Sequence, residues 1–249
     1  MDIGTAKPTP AERARVPHHL LDLAAPSATF SVAAWLRAAH AAEAELTQRG
    51  KPALYSGGTP LYLKALLEGL FDAPAQDPAL RRKLEAAGNL HAELAKVDPE
   101  AARRLHPNDA KRLVRALEVF HLTGRPISAL QEQWGREKRP ARIVLLDPPR
   151  EVLRERIAKR ARAMLEGGLV EEAARLEFST ETRKFIGYAE ALEVKAGRMT
   201  VEAAAAQMAA RTWTLVRRQA TWFRKLENPL RIEGGTVEEM AARATVYLQ

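Results

Sequence analysis

Residues 52–67 read Pro52-Ala53-Leu54-Tyr55-Ser56-Gly57-Gly58-Thr59-Pro60-Leu61-Tyr62-Leu63-Lys64-Ala65-Leu66-Leu67. The apolar run Ala53-Leu54-Tyr55 predicts a short strand, Gly57-Gly58 a tight turn, and Pro60 the first turn of a helix. Leu61, Tyr62, Ala65 and Leu66 give that helix an apolar face. Glycines let the backbone come close to a ligand. Thr59 suits the cap and Pro60 the position after it. The unpaired N–H groups and positive dipole end of such a helix favour an anion, often a phosphate. An ordinary capped strand-to-helix connection fits the same pattern.

Working outward, His18-His19-Leu20-Leu21-Asp22-Leu23 predicts another short buried strand. Ser31 is placed to cap a helix reaching Gln48, with Trp35, Leu36, Ala39, Ala42 and Leu46 on its apolar face and Gly50 as its stop. Strand and helix alternate this far, the pattern of an α/β sheet. The character changes at the linker 72–78, which is rich in Pro and Ala. Helical segments alone follow to Trp134: 78–87, 89–97, 100–105 and 108–123, the last ended by Gly124 and Pro126. This block reads as a helical insertion, 73–138, in an α/β core formed by 1–72 and 139–249. Arg142-Ile143-Val144-Leu145-Leu146 returns as a buried strand. Helices are expected over 149–166 and 203–226, with a late strand at 230–232.

The chain has 249 residues, 46% hydrophobic and 28% charged, enough for a large packed core. Lys and Arg outnumber Asp and Glu by 39 to 31, and the net charge of +8 suits an anionic partner such as nucleic acid. With no cysteine, thiolate catalysis, disulfides and cysteine zinc sites are excluded. No apolar run is long enough for a membrane span and no secretory pattern opens the chain, so a cytoplasmic location without membrane contact is the expectation. His18 and His19 point to opposite sides of a strand and do not chelate one metal. No Gly-x-Ser-x-Gly, zinc motif or Gly-x-x-x-x-Gly-Lys-[Ser/Thr] occurs.

Three basic groups stand out. Lys111, Arg112 and Arg115 lie at the start of the 108–123 helix, where positive charge opposes the dipole. Such a cost points to an external partner, although Asp109 and Glu118 are spaced to pair with them. Arg154, Arg156, Lys159, Arg160 and Arg162 read as a solvated helix face. Arg217, Arg218, Arg224 and Lys225 alternate with Trp213, Trp222 and Phe223, aromatics that either stack on bases or pack the core.

Several segments together resemble the tRNA dimethylallyltransferase (isopentenyl-tRNA transferase) family, over nearly the whole chain. They are Met1-Asp2-Ile3-Gly4-Thr5-Ala6-Lys7-Pro8-Thr9, Pro17-His18-His19-Leu20-Leu21-Asp22, Gly57-Gly58-Thr59-Pro60-Leu61-Tyr62 and His106-Pro107-Asn108-Asp109-Ala110-Lys111-Arg112 followed by Arg115-Ala116-Leu117-Glu118. Ile186-Gly187-Tyr188 and Arg218-Gln219-Ala220-Thr221-Trp222-Phe223 complete the series. The resemblance implies an α/β fold, a P-loop-NTPase-like parallel sheet core with an all-helical insertion domain. It implies transfer of a dimethylallyl group from its diphosphate to N6 of the adenosine 3′ to the anticodon. It also implies Mg²⁺, tRNA and dimethylallyl diphosphate as cofactor and partners, in a monomer.

Carried over by position, tRNA contacts are implied for Thr59, Arg81, Lys111, Arg112, Leu113, Val114, Arg115, Lys184, Gly187 and Tyr188. Diphosphate contact is implied for Arg217 and Arg218. Trp213 stands where the family has an arginine. The family's first strand, its P-loop and the aspartate expected as general base precede the segment that Met1 begins, so they have no counterpart among these residues. No catalytic residue and no metal ligand is therefore assigned, and residues 1–249 by themselves are expected to be inactive, as a shortened product or a misassigned start of a longer enzyme. In-frame codons upstream that encode the Gly-Lys-[Ser/Thr] segment would bear out that expectation. The alternative is a non-catalytic RNA-binding remnant of the family.

Overall fold

The computed structural model describes residues 1–71, 73–131 and 138–248. In chain order they form α1 (Pro10–Arg15), α2 (Val32–Gln48), α3 (Pro60–Glu68), α4 (Pro78–Ala86), α5 (Leu90–Val97), α6 (Pro99–Arg104), α7 (Ala110–Thr123) and α8 (Ile127–Gln131). There follow β1 (Val144–Leu146), α9 (Arg150–Glu166), α10 (Leu169–Arg175), a 3-10 turn at Thr182–Lys184, α11 (Tyr188–Lys195), α12 (Val201–Phe223), β2 (Leu230–Ile232) and α13 (Val237–Leu248). Two compact units result: Met1–Leu63 with Ala141–Gln249, and Lys64–Pro140.

Most helices start where a side chain can replace a missing backbone acceptor. Ser31 accepts the Ala34 N–H at 3.2 Å, Asp77 accepts those of Ala79 and Leu80, Asp109 that of Arg112, and Thr200 that of Ala203. Each cap of this kind contributes about 1 kcal/mol. Gly124 ends α7 at φ 69°, a left-handed conformation that costs glycine nothing.

In the first unit α9 packs along α12, and α10 along α11. Leu165, Leu169, Tyr188, Ala191, Ala204 and Met208 are among their buried residues. The sheet is one parallel pair, with Val144 opposite Leu230 and Leu146 opposite Ile232. The fold is thus α/β with a small parallel sheet; the strand expected at 230–232 is present with those bounds, and that expected at 142–146 is shortened to 144–146.

Two other expected strands are absent. Residues 53–55 form no strand, and Leu54 is 78% exposed. A strand exists only by pairing, and the described residues offer a ladder only between β1 and β2. Residues 18–23 fail for a local reason: Leu20 and Asp22 have φ of 64° and 56°, which breaks the extended chain twice. Lys7 and Arg13 both pair with Asp22 there.

The second unit is all helical and buries Leu94, Leu113, Val114, Leu117 and Val119. Leu113 and Leu117 share the inner face of α7 as their spacing requires, while Phe120 is only half-buried. Asp98 is buried and accepts the N–H groups of Ala101 and Ser128, which ties α6 to α8. Asp72, where the linker was expected to begin, and Trp134, where the helical block was expected to end, lie outside the described residues.

Candidate functional site

The glycine turn and the basic stripe of α12 meet in the first unit. Gln219 Nε2 donates to the Gly58 carbonyl at 2.7 Å. A Cβ at Gly58 would stand 2.5 Å from that same nitrogen, so a side chain there would push the Gln219 amide aside. Thr59 is exposed, and its carbonyl accepts the N–H groups of Tyr62 and Leu63 that start α3. Tyr62 stacks on Trp35 of α2, ring centroids 4.7 Å apart, which fixes α3 against α2 just beyond the turn.

Immediately before Gln219, Arg217 and Arg218 project from α12. With Thr214, Thr221, Trp222 and Lys225 they line an open concavity of about 500 Å³. The spacing of three and four residues puts these groups along one helical face. Three cations beside an indole make a surface for an anion carrying an apolar or aromatic part. Trp222 meets Phe223 edge-on at 5.3 Å. Trp213 lies under the Arg154 guanidinium, 4.7 Å from the ring centroid, and so joins α12 to α9. Both tryptophans are half-buried.

A second cluster holds residues 184–188. Glu190 of α11 is fully buried; it accepts the Gly187 N–H at 2.8 Å and pairs with Arg211 of α12 at 2.5 Å. Arg211 also donates to the Lys184 carbonyl at 2.5 Å. Gly187, at φ 93°, takes a conformation that a side chain would disfavour. Tyr188 is fully buried, and its hydroxyl donates to Glu172 at 3.1 Å. Tyr188 thus faces the core, and only its backbone is available at the turn. Burial first, then the neighbouring Glu172 carboxylate, holds the Tyr188 hydroxyl protonated far above the ordinary range.

Glu172 also accepts the backbone N–H groups of Asp2, Ile3 and Gly4, the Ile3 bond measuring 2.8 Å. Burial alone would raise the Glu172 carboxyl. The bonds from Asp2, Tyr188, Ile3 and Gly4 outweigh it and hold the group below its ordinary range. The segment 2–4 is therefore fixed to α10 by one carboxylate.

In the second unit the basic residues of α7 divide by role. Arg115 Nη1 pairs with Glu118 Oε2 at 2.6 Å, and its Nη2 donates to the Pro74 carbonyl. Arg81 Nε pairs with the other oxygen of Glu118 at 3.1 Å, and the Asp77 N–H donates to it as well. Glu118 is buried, so this is a fixed three-way junction of α4, α7 and the chain before α4. Arg112 is 73% exposed and pairs with Asp109 at 3.0 Å. Lys111 is exposed too, whereas Leu113 and Val114 are in the core. The two ion pairs that the spacing allowed, Arg112 with Asp109 and Arg115 with Glu118, both form.

Arg211, Glu190, Glu172 and Gln219 were not singled out from the sequence. A signal existed for Glu190: it stands three residues after Gly187, the separation of a capping box. The other partners are remote in sequence, and nothing local marks them.

The IPP transferase family model matches residues 1–226. The chain belongs to this family. The tRNA dimethylallyltransferase of Methylococcus capsulatus is 45% identical over 95% of this chain and 80% of its own length. That of Anaeromyxobacter dehalogenans is 45% identical over 90% of this chain and 79% of its own. Among solved structures, the full-length tRNA isopentenylpyrophosphate transferase of Bacillus halodurans is 34% identical, with TM-score 0.66 over 99% of this chain and 82% of that one. A eukaryotic dimethylallyltransferase solved acting on tRNA, 24% identical, has TM-score 0.82 over 98% of this chain and 67% of that one, a likeness of fold. The P-loop-NTPase-like α/β fold expected for the chain is the fold of these relatives.

Among the described residues no three His, Asp or Glu side chains gather to hold a metal. The α12 concavity is lined by cations, which fit an anion and do not fit Mg²⁺ as a ligand of the chain's own side chains. No helix among the described residues is long and apolar enough to cross a membrane.

Proposed function

We propose that the protein is a tRNA dimethylallyltransferase, transferring the dimethylallyl group from its diphosphate to N6 of the adenosine 3′-adjacent to the anticodon. The observation that carries this reading is the Gln219–Gly58 bond, which joins the glycine turn to the helix that bears the cationic concavity, in a chain that aligns with enzymes named for this reaction.

The chemistry assigns distinct tasks. A carbon–nitrogen bond forms at N6, the carbon–oxygen bond to diphosphate breaks, and its electron pair leaves with the diphosphate. Arg217 and Arg218 hold that leaving group with charge-assisted hydrogen bonds, which strengthen as its negative charge grows. The N6 proton must pass to a base, and no residue of this chain is assigned that task. The side chains of the α12 concavity would not hold the Mg²⁺ that the resemblance implies; bound with the substrate, such an ion would neutralise charge on the leaving diphosphate.

The target adenosine must leave its stack to be reached. Thr59 and the backbone at Lys184, Gly187 and Tyr188 form the wall that receives it. Lys111 and Arg112 contact the phosphate backbone, and Arg81 and Arg115 with the backbone at Leu113 and Val114 support that surface. The protein acts in the cytoplasm as a monomer. A non-catalytic RNA-binding remnant is the less favoured reading, since the relatives that match along most of their length are named as transferases. Labelled dimethylallyl diphosphate and unmodified tRNA separate the two: label in the tRNA supports transfer, and tight tRNA binding without label supports the remnant.

A further inference from the structure

The turn that Glu190 and Arg211 clamp presents an aromatic ring to solvent. Phe185 is 49% exposed, an unusual position for a phenylalanine, and it follows exposed Arg183 and Lys184. Its backbone is fixed on every side. The Phe185 N–H donates to the Thr182 carbonyl at 3.0 Å and the Arg183 N–H to that of Ser179 at 3.0 Å. Thr182 Oγ1 bonds the Pro26 carbonyl at 2.5 Å. Arg211 holds the Lys184 carbonyl and Glu190 the Gly187 N–H, on either side of Phe185. Ile186 packs inward against the core of the first unit, so the chain cannot turn Phe185 in without withdrawing Ile186.

A rigid loop that shows one aromatic ring beside two cations matches the chemistry of an unpaired nucleobase with its phosphates. The ring stacks on the base, and the cations take the backbone. Exposure of the ring costs the free protein apolar hydration, which stacking removes. We infer that Phe185 is a stacking platform for an unpaired base of the RNA substrate, and that Glu190 and Arg211 are positioning residues for it. The inference rests on the tRNA reading above and adds to it a specific base contact.

The test is anisotropy titration of a labelled anticodon stem–loop RNA at low and moderate salt, with the wild type and with Phe185→Ala, Phe185→Ile and Phe185→Tyr. Stacking is worth enough that Phe185→Ala should bind about tenfold more weakly or worse. Phe185→Ile, which keeps apolar bulk without a π face, should lose most of that factor. Phe185→Tyr should restore it. The salt slope should stay at the wild-type value in all three, because no phosphate contact is removed. Arg112→Ala serves as the independent control and should reduce the slope. Wild-type affinity in Phe185→Ala, or full affinity in Phe185→Ile, overturns the stacking inference while the Arg112 result sustains the tRNA reading. Failure of the wild type to bind the stem–loop overturns both. Equal unfolding midpoints for Phe185→Ile and Phe185→Tyr separate a binding loss from a folding one.

Discussion

The side-chain amide of Gln219, near the C-terminal end of α12, donates to the carbonyl of Gly58 at 2.7 Å and ties a turn to a helix 161 residues later in the chain. The bond joins the glycine turn to the helix that carries Arg217 and Arg218, so its loss should loosen the site more than the fold. Gln219→Ala removes one neutral hydrogen bond and should cost about 1 kcal/mol of stability. Gly58→Ala forces its new methyl onto Gln219 Nε2 and should act in the same direction. In both variants substrate affinity should fall further than the unfolding midpoint, as read by tRNA titration beside thermal unfolding.

Removal of Arg211 leaves the Glu190 carboxylate buried without its ion partner. Arg211→Ala should destabilise the protein by about 3 kcal/mol, toward the lower end for a broken buried pair because Arg211 itself is partly solvated. Arg211→Ala with Glu190→Gln should recover part of that loss, since no buried charge is then left unpaired. Chemical denaturation of the two variants measures the difference.

Arg115 and Arg112 sit three residues apart on α7 and should behave differently. Arg115→Ala strips the buried Glu118 of one of its two cations and should lower stability by about 2 kcal/mol or more. Arg112→Ala changes an exposed residue and should leave the unfolding midpoint within about 0.5 kcal/mol. Its effect should appear in tRNA affinity and salt slope instead. Equal thermal loss in both variants would contradict the division.

The depressed Glu172 carboxyl makes the anchor of residues 2–4 sensitive to acid. The unfolded chain binds this proton at its ordinary value of 4.5, above the folded value. Stability from the anchor is therefore complete above that pH and is lost as pH falls through the folded value. The protection of the Ile3 and Gly4 amides, taken relative to their intrinsic exchange at each pH, should fall in acid. Glu172→Gln should lower that protection at neutral pH and remove its pH dependence in that window.

Helices were the legible part: Ser31 was read as the cap of α2 and is, and 78–87 matches α4, whereas α12 was read from 203 although Thr200 caps it two residues earlier. The basic stripe at Arg217, Arg218 and Lys225 was also legible, because helical spacing alone aligns it. Strands were harder. Residues 144–146 and 230–232 read correctly as apolar runs, but 53–55 has a similar run and forms no strand, because pairing depends on remote chain. Helices α1, α10 and α13 escaped notice: α1 and α13 bury no residue, and α10, though it buries Leu169, Glu172 and Ala173, is only 7 residues long. Two partners could not be read locally: Arg211 for Glu190 and Arg81 for Glu118, 21 and 37 residues away. Arg115, three residues before Glu118, was spaced to pair with it and does.

In the proposed function Arg217 and Arg218 hold the leaving group. Replacing both with Gln removes two charge-assisted contacts, each worth about 1.5–3 kcal/mol. Affinity for inorganic diphosphate should drop at least about a hundredfold if both bind it. Calorimetric titration measures this without any need for turnover.

The central claim is dimethylallyl transfer to tRNA, and nucleoside analysis of tRNA incubated with labelled dimethylallyl diphosphate, Mg²⁺ and the protein tests it most directly. Label on N6 of the adenosine 3′ to the anticodon is the expected result. Protein that binds the tRNA and leaves that adenosine unlabelled would contradict the account.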